Sequence, residues 1–387
     1  MTLDAETLTR EMTAWRHDLH AHPEFGFEER RTAALVAERL RGFGLDAVVE
    51  GVGGGVVGSL TRGSGARAIG LRADMDALRI HERGQRAHRS QHEGVMHACG
   101  HDGHTAMLLG AARMLAAEGG FSGTVRFIFQ PAEEWGRGAH AMLDAGLLER
   151  FPIDEIFGLH NWPGLEVGRF STTPGPMMAA EDNFEIVLTG QGGHASRPHA
   201  MSEVMVAACA TVMTLQTIVS RGLDPADAAV VSATEILTDG ARNVLPGLAR
   251  ILGDVRSFRP EVSAEVERRM RRIAEGVAIS YGCKAEVGYS REFVPLVNHP
   301  EAVRAALAAA AVAFGPDRIA GDQAPITASE DFARFLAHVP GCFAFIGNGA
   351  ASQPLHNPEY DFDDGSLIYG ARYFATLARQ RLAPAQA

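Results

Sequence analysis

The chain has 387 residues, 46% of them hydrophobic and 21% charged, with a formal net charge of −11. That length exceeds what one compact core normally holds and points to two domains. The acidic balance argues against a nucleic-acid or anionic-membrane partner, and no apolar run reads as long enough to span a bilayer.

The opening residues Met-Thr-Leu-Asp-Ala-Glu lack the basic and apolar regions of a signal peptide. Four widely separated cysteines (Cys99, Cys209, Cys283, Cys342) form no disulfide framework, so a reducing, cytoplasmic location is expected.

In chain order, residues 5–42 read as two helices broken at Pro23. The histidines around the break, His17, His20 and His22, read as solvated or capping groups. Short strands follow at Val48–Val49 and Gly55–Leu60. A third, Ala68–Leu71, ends in Arg72-Ala73-Asp74-Met75-Asp76. Val95–Thr105 (Val-Met-His-Ala-Cys-Gly-His-Asp-Gly-His-Thr) is a loop opening into a helix over Ala106–Ala117. Thr124–Phe129 alternates as a strand and runs into Gln130-Pro131-Ala132-Glu133-Glu134. Ile153–Leu159 is a strand followed by His160; Cys342–Ile346 is one followed by a glycine turn and Leu355-His356-Asn357. Each strand hands over to a ligand-type residue at its carboxyl end, the edge where sites form in open α/β sheets. Asp74, Asp76, Glu133, Glu134, His160 and His356 are therefore expected to converge on the Cys99 loop.

The middle of the chain changes character. A strand at Glu181–Leu188, a glycine-rich turn at Gly190–Ala195, a helix over Met201–Val219, strands at Ala229–Leu237 and Leu248–Arg256, a helix at Ser263–Tyr281 and a strand at Lys284–Tyr289 make a split βαβ order. The expected fold is α/β, with a central mixed sheet in a domain of residues 1–180 and 293–387. An α+β, ferredoxin-like domain of residues 181–292 is inserted into it.

One thiol and three imidazoles within Val95–Thr105 suit a borderline divalent ion. A hydrolytic metal centre needs ligands, an open position for water and a base for the water's proton. Cys99, His101, His160 and His356 supply ligands. Of the neighbours Glu133 and Glu134, one carboxylate can bind metal while the other acts as base and then as acid to a leaving amine. Five candidate ligands exceed what one tetrahedral ion uses, so two divalent metals are expected. Zn2+ or Mn2+ leads, and Co2+ or Ni2+ also suits the donor set. Asp74 and Asp76 can ligate directly or hold a ligand histidine by its other ring nitrogen. The second role is favoured, because the thiolate already brings a negative charge. His104 reads as structural, and His81, His88, His92 and His97 as bland groups near an entrance. A thiol hydrolase built on Cys99 and a histidine is the rival enzyme, but it leaves Glu133, Glu134 and His356 without a task.

Five stretches occur together and in order: Ala73-Asp74-Met75-Asp76-Ala77-Leu78, Met96-His97-Ala98-Cys99-Gly100-His101-Asp102-Gly103-His104, Phe129-Gln130-Pro131-Ala132-Glu133-Glu134, Gly158-Leu159-His160 and Leu355-His356-Asn357. In combination they closely resemble the M20 metallopeptidase family, in particular its hippurate hydrolases, aminoacylases and indole-acetyl-amino-acid hydrolases. The resemblance implies a two-metal catalytic domain carrying a lid used for dimerisation. It also implies hydrolysis of the amide of an N-acetyl or N-benzoyl amino acid to a carboxylic acid and a free amino acid. Matched residue by residue, it implies Cys99, His101, Glu134, His160 and His356 as metal ligands and Glu133 as the acid/base. His194 would face the scissile carbonyl, often from the partner subunit, and Asn243 and Arg256 would take the substrate carboxylate. Arg79, where this subgroup commonly has proline, and Thr238–Asn243 depart from the pattern. Asp239 and Glu203 point to a cationic substrate side chain. A dipeptidase on the same scaffold and a catalytically silent metal- or ligand-binding protein are the alternatives.

Overall fold

The computed structural model describes residues 4–384. The chain divides into two units. One takes the segment ending at Met177, Val297–Ala324 and the chain from Glu330 onward; the other takes Met178–Leu296 and Pro325–Ser329.

In the first unit, helices α1 (Ala5–Ala21) and α2 (Arg30–Gly42) precede strands β1 (Ala47–Val52), β2 (Gly55–Arg62) and β3 (Ala68–Asp74). Helix α3 (His101–Glu118), β4 (Gly123–Gln130) and β5 (Glu155–Trp162) follow. An eight-stranded mixed sheet runs β1-β2-β4-β3-β5, then Gly341–Gly347, Phe170–Ser171 and Ile319–Ala320. The strands β4, β3, β5 and Gly341–Gly347 are mutually parallel, so the chain leaves all four at one edge of the sheet. Nearly every residue of β3, β5 and Gly341–Gly347 is buried, because both faces are covered; this is why they read as continuous apolar runs.

Several boundaries differ from the sequence reading, and those of α3 and β5 bear on the site. Helix α3 begins at His101 rather than Ala106, with Gly100 before it in the left-handed region (φ 89°). Its first turn carries His101, Asp102 and His104, all buried against polar partners, an arrangement that an apolar pattern cannot register. Strand β5 runs on to Trp162, so His160 lies inside the strand rather than after it.

The second unit is a four-stranded antiparallel sheet in the order Ala229–Thr238, Leu248–Ser257, Ala180–Thr189, Lys284–Phe293. Numbered within the unit this is 2-3-1-4, the ferredoxin-like arrangement. Alternate residues of Ala180–Thr189 are buried, including Phe184, Ile186 and Leu188. They share a core with Val204, Ala207 and Leu215 of the helix Val204–Thr217 and with Val266 and Met270 of the helix Pro260–Ser280. The stretch Val204–Gly222 does reach the length and apolar composition of a bilayer-crossing helix, which corrects the sequence reading. Its inward side packs into this core while Met205, Val206 and Met213 face outward, so those properties belong here to a helix of a folded α+β unit.

Candidate metal centre

The edge where β3, β4, β5 and Gly341–Gly347 end carries the chemistry. Ligand atoms of Cys99, His101 and His160 lie within 4.8 Å of one another, as do those of Cys99, Glu134 and His356, and those of His101, Glu133 and Glu134. The five sequence-matched ligands are thus brought together, with Cys99 common to two of the groups. Cys99 Sγ is 3.5 Å from His160 Nε2. Glu134 Oε1 is 3.3 Å from His356 Nε2 and 4.0 Å from His101 Nε2. His356 reaches the site through its backbone, whose N–H donates to the Ala98 carbonyl at 2.8 Å, and it holds a left-handed φ of 64° to do so.

The ring nitrogens turned away from this cluster are engaged. His101 Nδ1 sits 3.0 Å from Asp76 Oδ1, and His160 Nδ1 is 2.7 Å from the Asn161 carbonyl. A proton on each Nδ1 leaves the Nε2 lone pairs facing the cluster, the usual orientation of metal-binding imidazoles. His101 Nε2 is buried and makes no hydrogen bond. Buried polar atoms without partners are costly. A thiolate, three imidazoles and a carboxylate supply the donor set that a pair of divalent ions satisfies.

Asp76 also accepts the Glu134 amide through Oδ2 at 3.0 Å. Asp74 takes a different task. Its Oδ1 lies 2.6 Å from His104 Nδ1 and its Oδ2 accepts from Arg72 at 2.6 Å, while His101 Nδ1 stands off at 3.9 Å. Both His104 nitrogens are occupied, since Nε2 meets Asn161 Oδ1 at 2.7 Å and its backbone N at 3.0 Å.

Glu133 is buried and accepts from the Asp331 backbone N–H at 3.2 Å. Burial, then Glu330, Glu134 and Asp331, push its carboxyl well above the usual range. Burial and the neighbouring Glu134 and Glu133 also push the Cys99 thiol up, and burial and His104 pull His160 down. Burial opposes charge on His101, yet Asp74 and Asp76 hold it up to about 10. A centre this rich in negative charge favours a bound cation, which would itself reverse the shift on a coordinating thiol.

Sequence reasoning passed over four groups of residues here. Arg72 is buried and bonded to Gln130, Asp74, Glu330 and Asp331; the signal was the acidic pair Glu330-Asp331 set before an apolar run. His20 is fully buried, with Nδ1 2.9 Å from Asp102 Oδ2, not solvated or capping. Arg16, one turn earlier on α1, approaches the same Asp102 oxygen at 3.3 Å. His97 is buried as well, not an entrance residue.

The remaining matched residues lie in the second unit. His194, exposed, pairs with Val244 in a two-stranded ribbon, and the Ala195 N–H donates to the Asn243 carbonyl at 3.0 Å, so His194 and Asn243 are neighbours. His194 Nδ1 accepts from Ser196 N at 3.1 Å and lies 2.9 Å from Ser196 Oγ. The Arg256 guanidinium is engaged by Glu181 at 2.7 Å, Asp254 at 2.9 Å and Ser329 Oγ at 2.8 Å. Asp239 spends its carboxylate on the Gly247 and Leu248 amides at 3.0 and 2.9 Å, a turn-holding task that removes the reason to read it as a side-chain selector.

Three comparisons bear on this centre. The sequence profile of peptidase family M20/M25/M40 matches residues 70–380. A hippurate hydrolase of Campylobacter jejuni is 40% identical over 95% of each chain, and an N-acetylcysteine deacetylase of Bacillus subtilis is 38% identical over 94% of each. A solved Bacillus subtilis structure, described as a dinuclear metal binding peptidase from the M20 family, superposes with a TM-score of 0.85 at 34% identity, covering 97% of this chain and 99% of that one.

Proposed function

Because the chain belongs to the peptidase family M20/M25/M40, we propose that it hydrolyses the amide bond of N-acyl amino acids of the N-acetyl or N-benzoyl type, releasing a carboxylic acid and a free amino acid. It is a metal-dependent amidohydrolase. The observation that carries the hydrolytic reading is the convergence of Cys99, His101, Glu134, His160 and His356, with a further buried carboxylate, Glu133, beside them, and the acyl class follows the similar hippurate hydrolase and N-acetylcysteine deacetylase.

In this reading those five residues hold two divalent ions, Zn2+ or Mn2+ ahead of Co2+ or Ni2+, which when bound polarise an acyl carbonyl and acidify a water. Glu133 takes the proton of the attacking water and returns it to the leaving nitrogen. Its buried position beside the ligand cluster supports this role. His194 donates a hydrogen bond to the oxyanion: with Nδ1 turned to Ser196, Nε2 carries the proton. Asn243 and Arg256 take the substrate carboxylate, Arg256 by exchanging Glu181 for the ligand.

The first unit is then the catalytic domain, and Met178–Leu296 with Pro325–Ser329, against the 181–292 expected from sequence, the lid and dimerisation domain. The chain works as a homodimer or higher homo-oligomer through the lid, in the cytoplasm, where its four unpaired cysteines stay reduced.

The test is amino-group release from a panel of N-acetyl amino acids, N-benzoyl amino acids and dipeptides, by metal-reconstituted protein with and without chelator. Chelator-sensitive release from an acyl class supports the reading. Release from dipeptides alone moves the chain to the dipeptidases. No release, from protein shown to hold two metals, would make it a silent binder.

A further inference from the structure

Among the described residues, three that are not glycine hold a left-handed backbone: Phe27 (φ 66°), Ala132 (φ 49°) and His356 (φ 64°). His356 belongs to the metal cluster. Ala132 immediately precedes Glu133, so its backbone sets where that carboxylate projects. The third, Phe27, lies in the segment that packs on Ala132: Gly26 approaches so closely that a methyl group there would stand 3.1 Å from Ala132 Cα. Such conformations persist only where surrounding contacts impose them, and they gather at functional sites.

The contact that imposes this one is Glu29, whose Oε1 accepts the Ala132 N–H at 2.8 Å in a buried setting. Glu29 occupies the N-cap position of α2 yet makes no side-chain cap to its own helix. Glu24 does that work instead, accepting the Arg31 and Thr32 amides at 3.0 and 2.8 Å. A capping carboxylate has thus been turned away from its helix and onto the residue before the acid/base. The following backbone is tied as well, with the Glu134 amide on Asp76 and the Gly138 amide on the Ala132 carbonyl at 3.1 Å.

We infer that Glu29 is a positioning residue for the acid/base Glu133, acting by holding Ala132 in the left-handed conformation that aims the Glu133 carboxylate. The inference rests on the reading of Glu133 given above. Glu29 touches neither substrate nor metal in this role.

The experiment compares kcat, KM, metal content and Tm of the full metal-loaded chain, using whichever N-acyl amino acid the wild type hydrolyses. Glu29→Ala is expected to lower kcat by about 100-fold, the scale of a displaced catalytic group, with KM and two-metal occupancy retained. Glu29→Gln keeps an oxygen for the Ala132 amide and is expected to stay within about threefold of wild type. Glycine adopts positive φ without help, so Ala132→Gly added to Glu29→Ala is expected to recover at least about tenfold in kcat. A Glu29→Ala enzyme with wild-type kcat overturns the inference, and so does one whose kcat loss tracks lost metal and lost Tm without rescue by Ala132→Gly. If Glu29→Ala does not fold, Glu29→Met fills the volume without an acceptor; failure of both to fold assigns Glu29 to folding alone and also overturns the inference. Glu133→Gln is the control: full turnover by that variant removes the acid/base reading itself, whereas an inactive Glu133→Gln beside a fully active Glu29→Ala removes only the role of Glu29.

Discussion

Asp76 serves two partners with one carboxylate, His101 Nδ1 through one oxygen and the Glu134 amide through the other. Asparagine keeps the shape but must turn its NH2 toward one of two donors. Asp76→Asn should therefore weaken metal affinity about 10- to 100-fold, read by competition with a chromogenic chelator; unchanged affinity would show that neither hydrogen bond matters to the ligands. His20 carries a pH dependence. Burial opposes its charge, but Asp102 and Glu82 hold its pKa up to about 9, above the ordinary 6.5. The folded chain keeps a proton that the unfolded chain gives up near 6.5. The resulting stabilisation, on the order of 3 kcal/mol, is complete below that pH and is lost as pH rises through about 9. The Tm gap between wild type and His20→Gln should narrow on going from about pH 6 to about pH 9.5; a constant gap would sink the idea. His20 was misread from sequence because a polar residue beside a helix break is ordinarily solvated, and its partner Asp102 lies 82 positions away.

The elements place these side chains through backbone features with local signatures. Gly100 is the example: its left-handed φ of 89° turns the chain from the Cys99 loop into α3, and a methyl there would meet Asn161 Oδ1 at 2.4 Å and Tyr360 Oη at 2.6 Å. Gly100→Ala adds a left-handed penalty of about 1–2 kcal/mol to a steric conflict. It should lower Tm and reduce the metal retained after gel filtration, and full metal occupancy at wild-type Tm would refute this. The Cys-Gly-His spelling made the turn legible. The start of α3 was not, because the imidazoles and carboxylate of its first turn are buried by distant partners.

For the whole molecule, the second unit leaves Ala229–Thr238 as an edge strand of its sheet, with Val230, Ile236 and Leu237 exposed, and leaves Met205, Val206 and Met213 exposed on its first helix. Unpaired edges and large apolar surfaces are the places where chains associate. Light scattering should show two or more chains per particle, and Ile236→Lys should shift the distribution toward monomer. If His194 serves across the interface, the monomer keeps its metals and loses turnover; an active monomer would place His194 within its own subunit's reaction.

Six strands of the first unit's sheet, the split βαβ order of the second unit and the ligand-type residues near the strand ends were legible in the sequence itself, whereas the short strands Phe170–Ser171 and Ile319–Ala320 were not. Apolar periodicity and the residue that ends each run are local properties. Cys99, His101, His160 and His356 could be read as ligand types before any distance was known, whereas the choice of Glu134 as ligand and Glu133 as base came from the resemblance to the family. What only tertiary structure decided is which groups complete them. Glu29, Arg72, Asp331 and His20 are charged or polar residues whose tasks depend on distant partners, Glu29 on Ala132, 103 positions away, and Arg72 on Glu330, 258 positions away, among them. A sequence pattern states whether such a residue is polar. Only the fold, by excluding water around it, decides which single atom it must satisfy.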